Sequence, residues 1–334
     1  DYGGKVPDFV DVDITEETVI DIARKLSGSA GPSGADSHAI QHWLLKYGRN
    51  STNLRFAVAK FGEWMANSNP PWAAHRALNS GRLVALDKCP GVRPIGIGET
   101  WRRLLAKCLL LVAREEAKDA CGTDQLCAGL EAGIEGGIHA ARLIWKQHEA
   151  EERWGFLLID ARNAFNEVNR TMMLWTVRHE WPSGARFTFN CYRHWSMLLV
   201  RTHDGSSLFL HSKEGVTQGD PLSMFIYGIA LLPLIRILKE KCPEAYQIWY
   251  ADDGGAAGLF GLIKKFYKVL EEHGPRFGYF PEALKSLLVV KESDVEAAKE
   301  FFAEEGFKIV TGYRYLGGFV GETQKQTLIL LSKT

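Results

Sequence analysis

Three aspartates stand where apolar runs stop. Gly155-Phe-Leu-Leu-Ile159 is an all-apolar run followed by Asp160, and Tyr246-Gln-Ile-Trp-Tyr250 is followed, one alanine later, by Asp252 and Asp253. Short apolar runs bounded by charge or turn residues predict buried strands, so each strand would deliver its carboxylates at its carboxyl end. A charge held at the edge of a core is costly unless something compensates it, and a divalent cation is the simplest compensation. Asp160 and Asp252 lie 92 residues apart in sequence. Adjacent strands of one sheet would bring them together, as two hard cations about 3.5–4 Å apart require for phosphoryl transfer. Each half alone is a weak signal, because aspartates also cap turns and short strings recur by chance. The surrounding residues have to carry the argument.

Phosphate chemistry needs cationic side chains. Lys+Arg and Asp+Glu both number 40, so the formal charge of zero advertises no polyanionic partner. Segment 82–118, however, holds eight basic against four acidic residues. Within it, Lys88 and Arg93 sit in the Pro/Gly-rich string Leu86-Asp-Lys-Cys-Pro-Gly-Val-Arg-Pro-Ile95 and are cations of the type that recognises phosphate, whereas Arg102, Arg103 and Lys107 read as a solvated helix face. Further along, Gln218-Gly219 opens a turn where an amide can donate and accept and a glycine lets the backbone approach a base pair.

These residues must be held by a core. The 334 residues are 46% hydrophobic and 24% charged, the usage of a globular body with subdomains rather than a disordered or fibrous chain. Apolar positions three and four apart predict helices after Asp36, over 54–66, 101–118 and 134–148, and on either side of Pro182-Ser-Gly184. One short strand is expected at Leu83-Val-Ala-Leu86, and Asp204-Gly205 between Leu198-Leu-Val200 and Leu208-Phe-Leu210 predicts a hairpin. Gly254-Gly255 reads as turn chemistry. The long apolar run 221–238 is interrupted by Pro221, Pro233, Gly228, Ser223 and Arg236, which favours a buried helix over a membrane span. Six cysteines without a C-x-x-C pair read as free thiols of an intracellular compartment, nuclear or cytoplasmic. His38 and His42 are four apart on a helix with no third ligand in view, so they are read as ordinary histidines. A start at Asp1 without methionine and no signal segment suggest a trimmed domain that is not secreted.

Five further strings flank the aspartates in a fixed order, and with them the chain resembles the reverse transcriptase domain of retroelements, of the retrotransposon type, from about residue 31 to 320. The 86–95 string resembles its basic fingers segment, and Asp160-Ala-Arg-Asn-Ala-Phe165 its motif A. Gly215-Val-Thr-Gln-Gly-Asp-Pro-Leu-Ser223 resembles motif B, and Tyr250-Ala-Asp-Asp253 motif C. Gly278-Tyr-Phe-Pro-Glu-Ala-Leu-Lys-Ser286 resembles motif D, and Tyr315-Leu-Gly-Gly318 the primer-grip hairpin of motif E.

The resemblance implies an α+β right-hand polymerase fold. Helical fingers would occupy 1–155, motif A of the palm 156–182, a fingers/palm insertion with a hairpin 183–215, and palm motifs B to E 216–320 around an antiparallel sheet. The thumb would be absent or truncated, with 321–334 its start or a linker. It also implies roles. Asp160, Asp252 and Asp253, with the Ala161 carbonyl, would hold two Mg2+ ions, for which Mn2+ can substitute. Lys285 would be a proton donor to the leaving pyrophosphate. Lys88, Arg93, Phe165, Gln218 and Gly219 would bind the nucleotide, and Tyr315, Leu316, Gly317 and Gly318 the primer. Phe165 would lie beneath the sugar, where a 2′-hydroxyl clashes. The implied activity is RNA-directed DNA polymerisation from an RNA template, a DNA or RNA primer and deoxynucleoside triphosphates, with no membrane partner. The alternatives are an RNA-dependent RNA polymerase, or a catalytically decayed relative that only binds nucleic acid. Phe280-Pro281-Glu282 departs from the small polar pair with Asn that is usual in motif D of many non-long-terminal-repeat relatives.

Overall fold

The computed structural model describes residues 5–87, 91–217 and 219–322. Along the chain its strands are β1 (Gly81–Asp87), β2 (Val92–Gly98), β3 (Trp154–Ile159), β4 (Ser196–Arg201), β5 (Ser207–Ser212), β6 (Tyr246–Tyr250), β7 (Asp253–Leu259), β8 (Leu287–Val290), β9 (Lys308–Val310), β10 (Gly312–Tyr315) and β11 (Gly318–Gly321). Its helices are α1 (Glu16–Arg24), α2 (Ser37–Leu45), α3 (Arg49–Asn67), α4 (Trp72–His75), α5 (Thr100–Cys121), α6 (Gly133–Gln147), α7 (Ala164–Glu167), α8 (Arg170–Glu180), α9 (Pro182–Tyr192), α10 (Ser223–Lys241), α11 (Phe260–His273) and α12 (Val295–Phe301). Packing divides them into two units, one of 1–120 with 168–229 and the other of 121–167 with 230–334.

The first unit joins helices to a four-stranded sheet of order β2-β1-β4-β5. Helix starts follow the sequence. Asp36 accepts from the Ala39 N–H at 2.8 Å and Asn169 from Met172 at 3.0 Å, each satisfying an amide that the first turn leaves open. Pro182 takes the first turn of α9, where its missing N–H costs nothing. The hairpin expected around Asp204-Gly205 is present, with Leu198 opposite Leu210. Two differences from the sequence reading appear here. The N-terminal stretch holds more strand than the one expected at 83–86, because β1 is longer and β2 pairs with it from Asp87↔Val92 to Gly81↔Gly98. β2 escaped the sequence reading because Pro94 lies inside it. A proline removes a ladder donor and is tolerated only on an edge, which is where β2 sits.

The second unit is built on a five-stranded sheet of order β6-β7-β3-β8-β9. All six residues of β3, Trp-Gly-Phe-Leu-Leu-Ile, are buried between β7 and β8. Full burial of a large apolar side chain stabilises by about 1.5–3 kcal/mol, which explains why this run anchors the sheet. Trp145 of α6 meets Trp154 edge-on at 5.7 Å, and both join Phe156, Val289, Tyr315 and Val320 in one core cluster. The sheet is mixed rather than antiparallel throughout, since β9 runs parallel to β8.

Gly254-Gly255 is the second correction: it is not a turn but the start of β7, with Gly254 opposite both Trp249 and Ile159. A Cβ on Gly254 would come within 2.7 Å of the Trp249 ring, and one on Gly255 within 2.9 Å of Phe156. Aromatic rings from both neighbouring strands fill the space over β7, so packing overrides the poor strand propensity of glycine.

The apolar run 221–238 forms α10, whose Ile226, Ile229, Leu231, Leu234, Ile235 and Leu238 are all buried. Among the described residues no helix is long and apolar enough to cross a membrane. Among the described residues Cys108, Cys121, Cys127, Cys191 and Cys242 are buried and stand in no disulfide, and Cys89 lies outside those residues.

Candidate active site

Asp160 follows β3 directly, and its backbone is gripped by segment 278–286. Its N–H donates to Ser286 Oγ at 3.1 Å, and its carbonyl accepts from the Glu282 N–H at 2.8 Å. Ser286 Oγ donates in turn to the Glu282 carbonyl at 2.9 Å. Ala161 bridges Pro281, and the Arg162 N–H donates to the Phe280 carbonyl at 2.9 Å. The string that resembles motif D is therefore an extra edge laid along the end of β3. It holds the backbone of Asp160 while the residue itself stays exposed.

Asp252 and Asp253 lie on the β6–β7 hairpin. Tyr250 pairs with Asp253, leaving Ala251-Asp252 as a two-residue turn in which Ala251 has φ +51°. Ile159 pairs with Gly254, so the same antiparallel register carries Asp160 opposite Asp253. The buried Tyr279 hydroxyl donates to the Asp252 carbonyl at 3.1 Å. Burial, followed by the charges of Asp252, Asp253 and Asp160, holds that phenol well above its usual pKa.

The three carboxylates feel one another. The pKa of Asp253 is raised from 3.8 to about 6, first by loss of water around it and then by Asp252 and Asp160. A raised carboxyl pKa means that the folded state holds the proton more tightly than the unfolded chain does. Below pH 3.8 both states are protonated and no cost arises; through the window up to about 6 stability falls with rising pH, and above it the cost is complete. Because Asp253 is also solvent-exposed, the cost is set at about 1 kcal/mol rather than the full shift. Asp253→Asn is accordingly expected to raise the melting temperature in chelator at pH 7.5 by roughly 2–4 °C. The gain should vanish near pH 4, and a lower melting temperature at pH 7.5 would contradict the repulsion.

Among the described residues no three His, Cys, Asp or Glu side chains form a ready cage for a metal ion. The donor chemistry nevertheless fits Mg2+, which takes oxygen ligands, keeps several waters and is bound through one or two carboxylates plus substrate phosphates rather than by an all-protein cage. Asp160, Asp252 and Asp253 would offer carboxylate oxygens of that kind, completed by waters and substrate phosphates. The His38 and His42 rings lie 4.1 Å apart at a tilt of 46°, and His42 Nε2 lies 2.8 Å from Lys46 Nζ.

The other sequence candidates of this unit are placed as follows. Phe165 is half-buried on α7. Lys285 pairs with Glu282, and that hydrogen bond raises its pKa, with a smaller push from Asp160; its side chain is 61% exposed. Tyr315-Leu-Gly-Gly318 forms the β10–β11 turn, with Leu316 at φ +47° and Gly317 at +81°. Tyr315 points inward, its ring 5.7 Å from Phe156 and its hydroxyl 3.3 Å from the Ile248 carbonyl, so only the turn itself faces out.

In the first unit, Arg93 lies on β2 and Gly219 in the turn before α10, while Lys88 and Gln218 lie outside the described residues. Gly219 has φ +91°, and a Cβ there would stand 3.3 Å from the Gly96 carbonyl, so the turn requires glycine. Asp220 anchors this turn. Its Oδ1 accepts from the Leu222 N–H at 3.1 Å, and its Oδ2 accepts from the Tyr192 hydroxyl at 2.7 Å and from Arg102. Arg102 is thus not on a solvated helix face as the sequence suggested: the side chains of Arg102 and Asp220 are each 3% exposed. Arg170 braces the same region by donating to the Gly215 carbonyl at 3.0 Å and the Ser212 carbonyl at 3.1 Å.

Sequence reasoning missed Asp220, Arg102, Ser286 and Gln125, the last of which binds both backbone groups of Ala251. Asp220 and Ser286 sat inside motif strings, which was a signal that could have been used. Gln125 sat in none.

No protein-family signature matches the chain, and no curated protein matches its sequence. Solved structures do match. Telomerase from Candida albicans in complex with a TWJ fragment of telomeric RNA aligns with TM-score 0.51 at 10% identity, over 76% of this chain and 53% of that one. Telomerase from Candida tropicalis with the same kind of RNA fragment aligns with TM-score 0.50 at 12% identity, over 77% of this chain and 51% of that one. The apo Candida tropicalis enzyme aligns with TM-score 0.50 at 13% identity, over 65% of this chain and 44% of that one. This chain thus spans about half the length of the structures it matches. At such identities the likeness is one of fold alone, an α+β fold like that of these telomerases.

Proposed function

We propose that this chain is an RNA-directed DNA polymerase of retroelement origin, which adds deoxynucleotides to a primer 3′-hydroxyl on an RNA template. The observation that carries the reading is the meeting of Asp160, at the end of β3, with Asp252 and Asp253 on the neighbouring hairpin, close enough that the charges of Asp252 and Asp160 add to burial in raising the Asp253 pKa to about 6. Two Mg2+ ions bound there would lower the pKa of the attacking hydroxyl and neutralise the triphosphate. The chain's own part is positional. Asp160 and Asp252 supply the shared oxygens, with Asp253 and the Ala161 carbonyl beside them. Lys285 would leave its Glu282 partner to donate a proton to the pyrophosphate, and the resemblance assigns Lys88 and Arg93 to the triphosphate and Gln218 and Gly219 to the nucleotide. The turn at Leu316-Gly317 supports the primer end. The RNA fragment bound by the telomerases of like fold supports RNA binding by this chain.

Phe165 decides the sugar. Its half-buried ring on α7, five residues past Asp160, is proposed to lie beneath the sugar of the incoming nucleotide. Phe165→Val is expected to raise the ratio of ribonucleotide to deoxynucleotide incorporation by about 10–100-fold, the range that a lost steric contact commands. An unchanged ratio would favour an RNA-dependent RNA polymerase.

The proposed function is tested by melting the protein with deoxynucleoside triphosphate in Mg2+ and again in chelator. Saturation at 100 times the dissociation constant should add about 2.7 kcal/mol, in Mg2+ only. No metal-dependent gain would point to a decayed site.

A further inference from the structure

We infer that Gln125 is a positioning residue for Asp252, holding the hairpin turn so that its carboxylate is presented to the cation site. The inference rests on the proposed reading of that site as a metal-binding one. Gln125 lies in the loop between α5 and α6, outside every motif string, and it is fully buried. Its Oε1 accepts from the Ala251 N–H at 2.7 Å, and its Nε2 donates to the Ala251 carbonyl at 3.1 Å. The next residue continues the contact, with the Leu126 N–H donating to the Trp249 carbonyl at 2.9 Å. β6 is an edge strand, so the loop closes the edge that the turn would otherwise leave open.

The geometry fixes Asp252 from both sides. The direction of a side chain follows from the two peptide planes that flank its Cα. The plane before Asp252 contains the Ala251 carbonyl, held by Gln125, and the plane after it contains the Asp252 carbonyl, held by the Tyr279 hydroxyl at 3.1 Å. Ala251 adopts φ +51°, a left-handed conformation that disfavours every residue with a Cβ. Such a conformation persists only where its surroundings over-determine it, and here one side chain claims both backbone groups of the strained residue. A side-chain amide carries a donor and an acceptor side by side on one rigid plane, which matches the two backbone groups of a single residue. Partners that orient metal ligands in this way typically alter affinity by about 10–100-fold when removed.

The test uses Mn2+ as the probe and the whole chain. Mn2+ binding is followed by electron paramagnetic resonance in the wild type, Asp252→Ala and Gln125→Met, the last keeping length and volume while losing both hydrogen bonds. The expected result is a Mn2+ dissociation constant at least about tenfold higher in Gln125→Met, with unchanged far-ultraviolet circular dichroism and faster hydrogen exchange at Ala251 and Asp252. Gln125→Glu, which keeps the acceptor for the Ala251 N–H, should fall between. A wild type that binds no Mn2+ through Asp252 would overturn the site reading, and this inference with it, before any glutamine variant is compared. Asp252-dependent binding that is unchanged within about twofold in folded Gln125→Met would overturn this inference alone. If Gln125→Met does not fold, Gln125→Glu bears the same comparison, and an Ala251 amide that exchanges freely in the wild type would equally overturn it.

Discussion

Arg102→Ala is expected to cost about 3–5 kcal/mol of stability, the usual consequence of removing one partner of a buried ion pair. For a unit of this size the melting temperature should fall by roughly 10 °C. Arg102 and Asp220 have almost no exposed side-chain surface, so among the described residues the alanine variant would leave buried Asp220 with the Tyr192 hydroxyl and the Leu222 N–H to support its charge. The guanidinium also lies 5.1 Å from the Tyr192 ring centre, with that of Arg170 at 5.4 Å. Burial, and then Asp220, raise the Tyr192 pKa, so this phenol stays protonated and neutral, a donor with no charge to replace that of the guanidinium. The loss falls on the turn that carries Gly219, because Asp220 closes it through its N–H to the Thr217 carbonyl at 3.1 Å. Arg103 is the control. It is half exposed and bonds to Ser27 and Ser29 carbonyls, so Arg103→Ala should cost about 1 kcal/mol or less. Chemical denaturation of both variants decides the matter, and a loss below about 1 kcal/mol for Arg102→Ala would contradict the buried pair.

The contrast between these two arginines shows where sequence reading runs out. Helical period placed both on α5, but which face is covered depends on Asp220, more than a hundred residues away, and no local pattern records that. β3 and β6 were legible because their residues are large, apolar and bounded by charge. β7 was not, since its Gly-Gly-Ala-Ala core is dictated by Trp249 and Phe156 on other strands. β2 was hidden by Pro94, and the division of the chain into packed units interleaves segments that sequence order keeps apart. The aspartates themselves were legible, because a carboxylate ending an apolar run is visible without a structure. The groups that hold them, Ser286, Tyr279 and Gln125, act through backbone contacts that carry no residue-type signature of their own.

Asp252→Asn is expected to have the largest effect on activity. The change removes one negative charge and one strong metal-ligating oxygen while preserving shape, so the hairpin and its contacts to Gln125 and Tyr279 should survive. Electrostatic stabilisation at such a site contributes several kcal/mol to the barrier, and each 1.36 kcal/mol is tenfold in rate, so a loss of about 10³-fold or more is expected in nucleotide addition. Melting in chelator should be no lower than for the wild type, because one source of repulsion on Asp253 is gone. This combination of lost rate and kept fold separates a catalytic carboxylate from one that merely caps a turn.

The most direct measurement is single-nucleotide extension of a primer annealed to an RNA template, with deoxynucleotides and Mg2+, by the wild type beside Asp252→Asn. The expected result is addition by the wild type and a rate lower by about 10³-fold or more in the variant. Absence of deoxynucleotide addition by the wild type, or addition that survives unchanged in the variant, would contradict the assignment of this site as a polymerase centre.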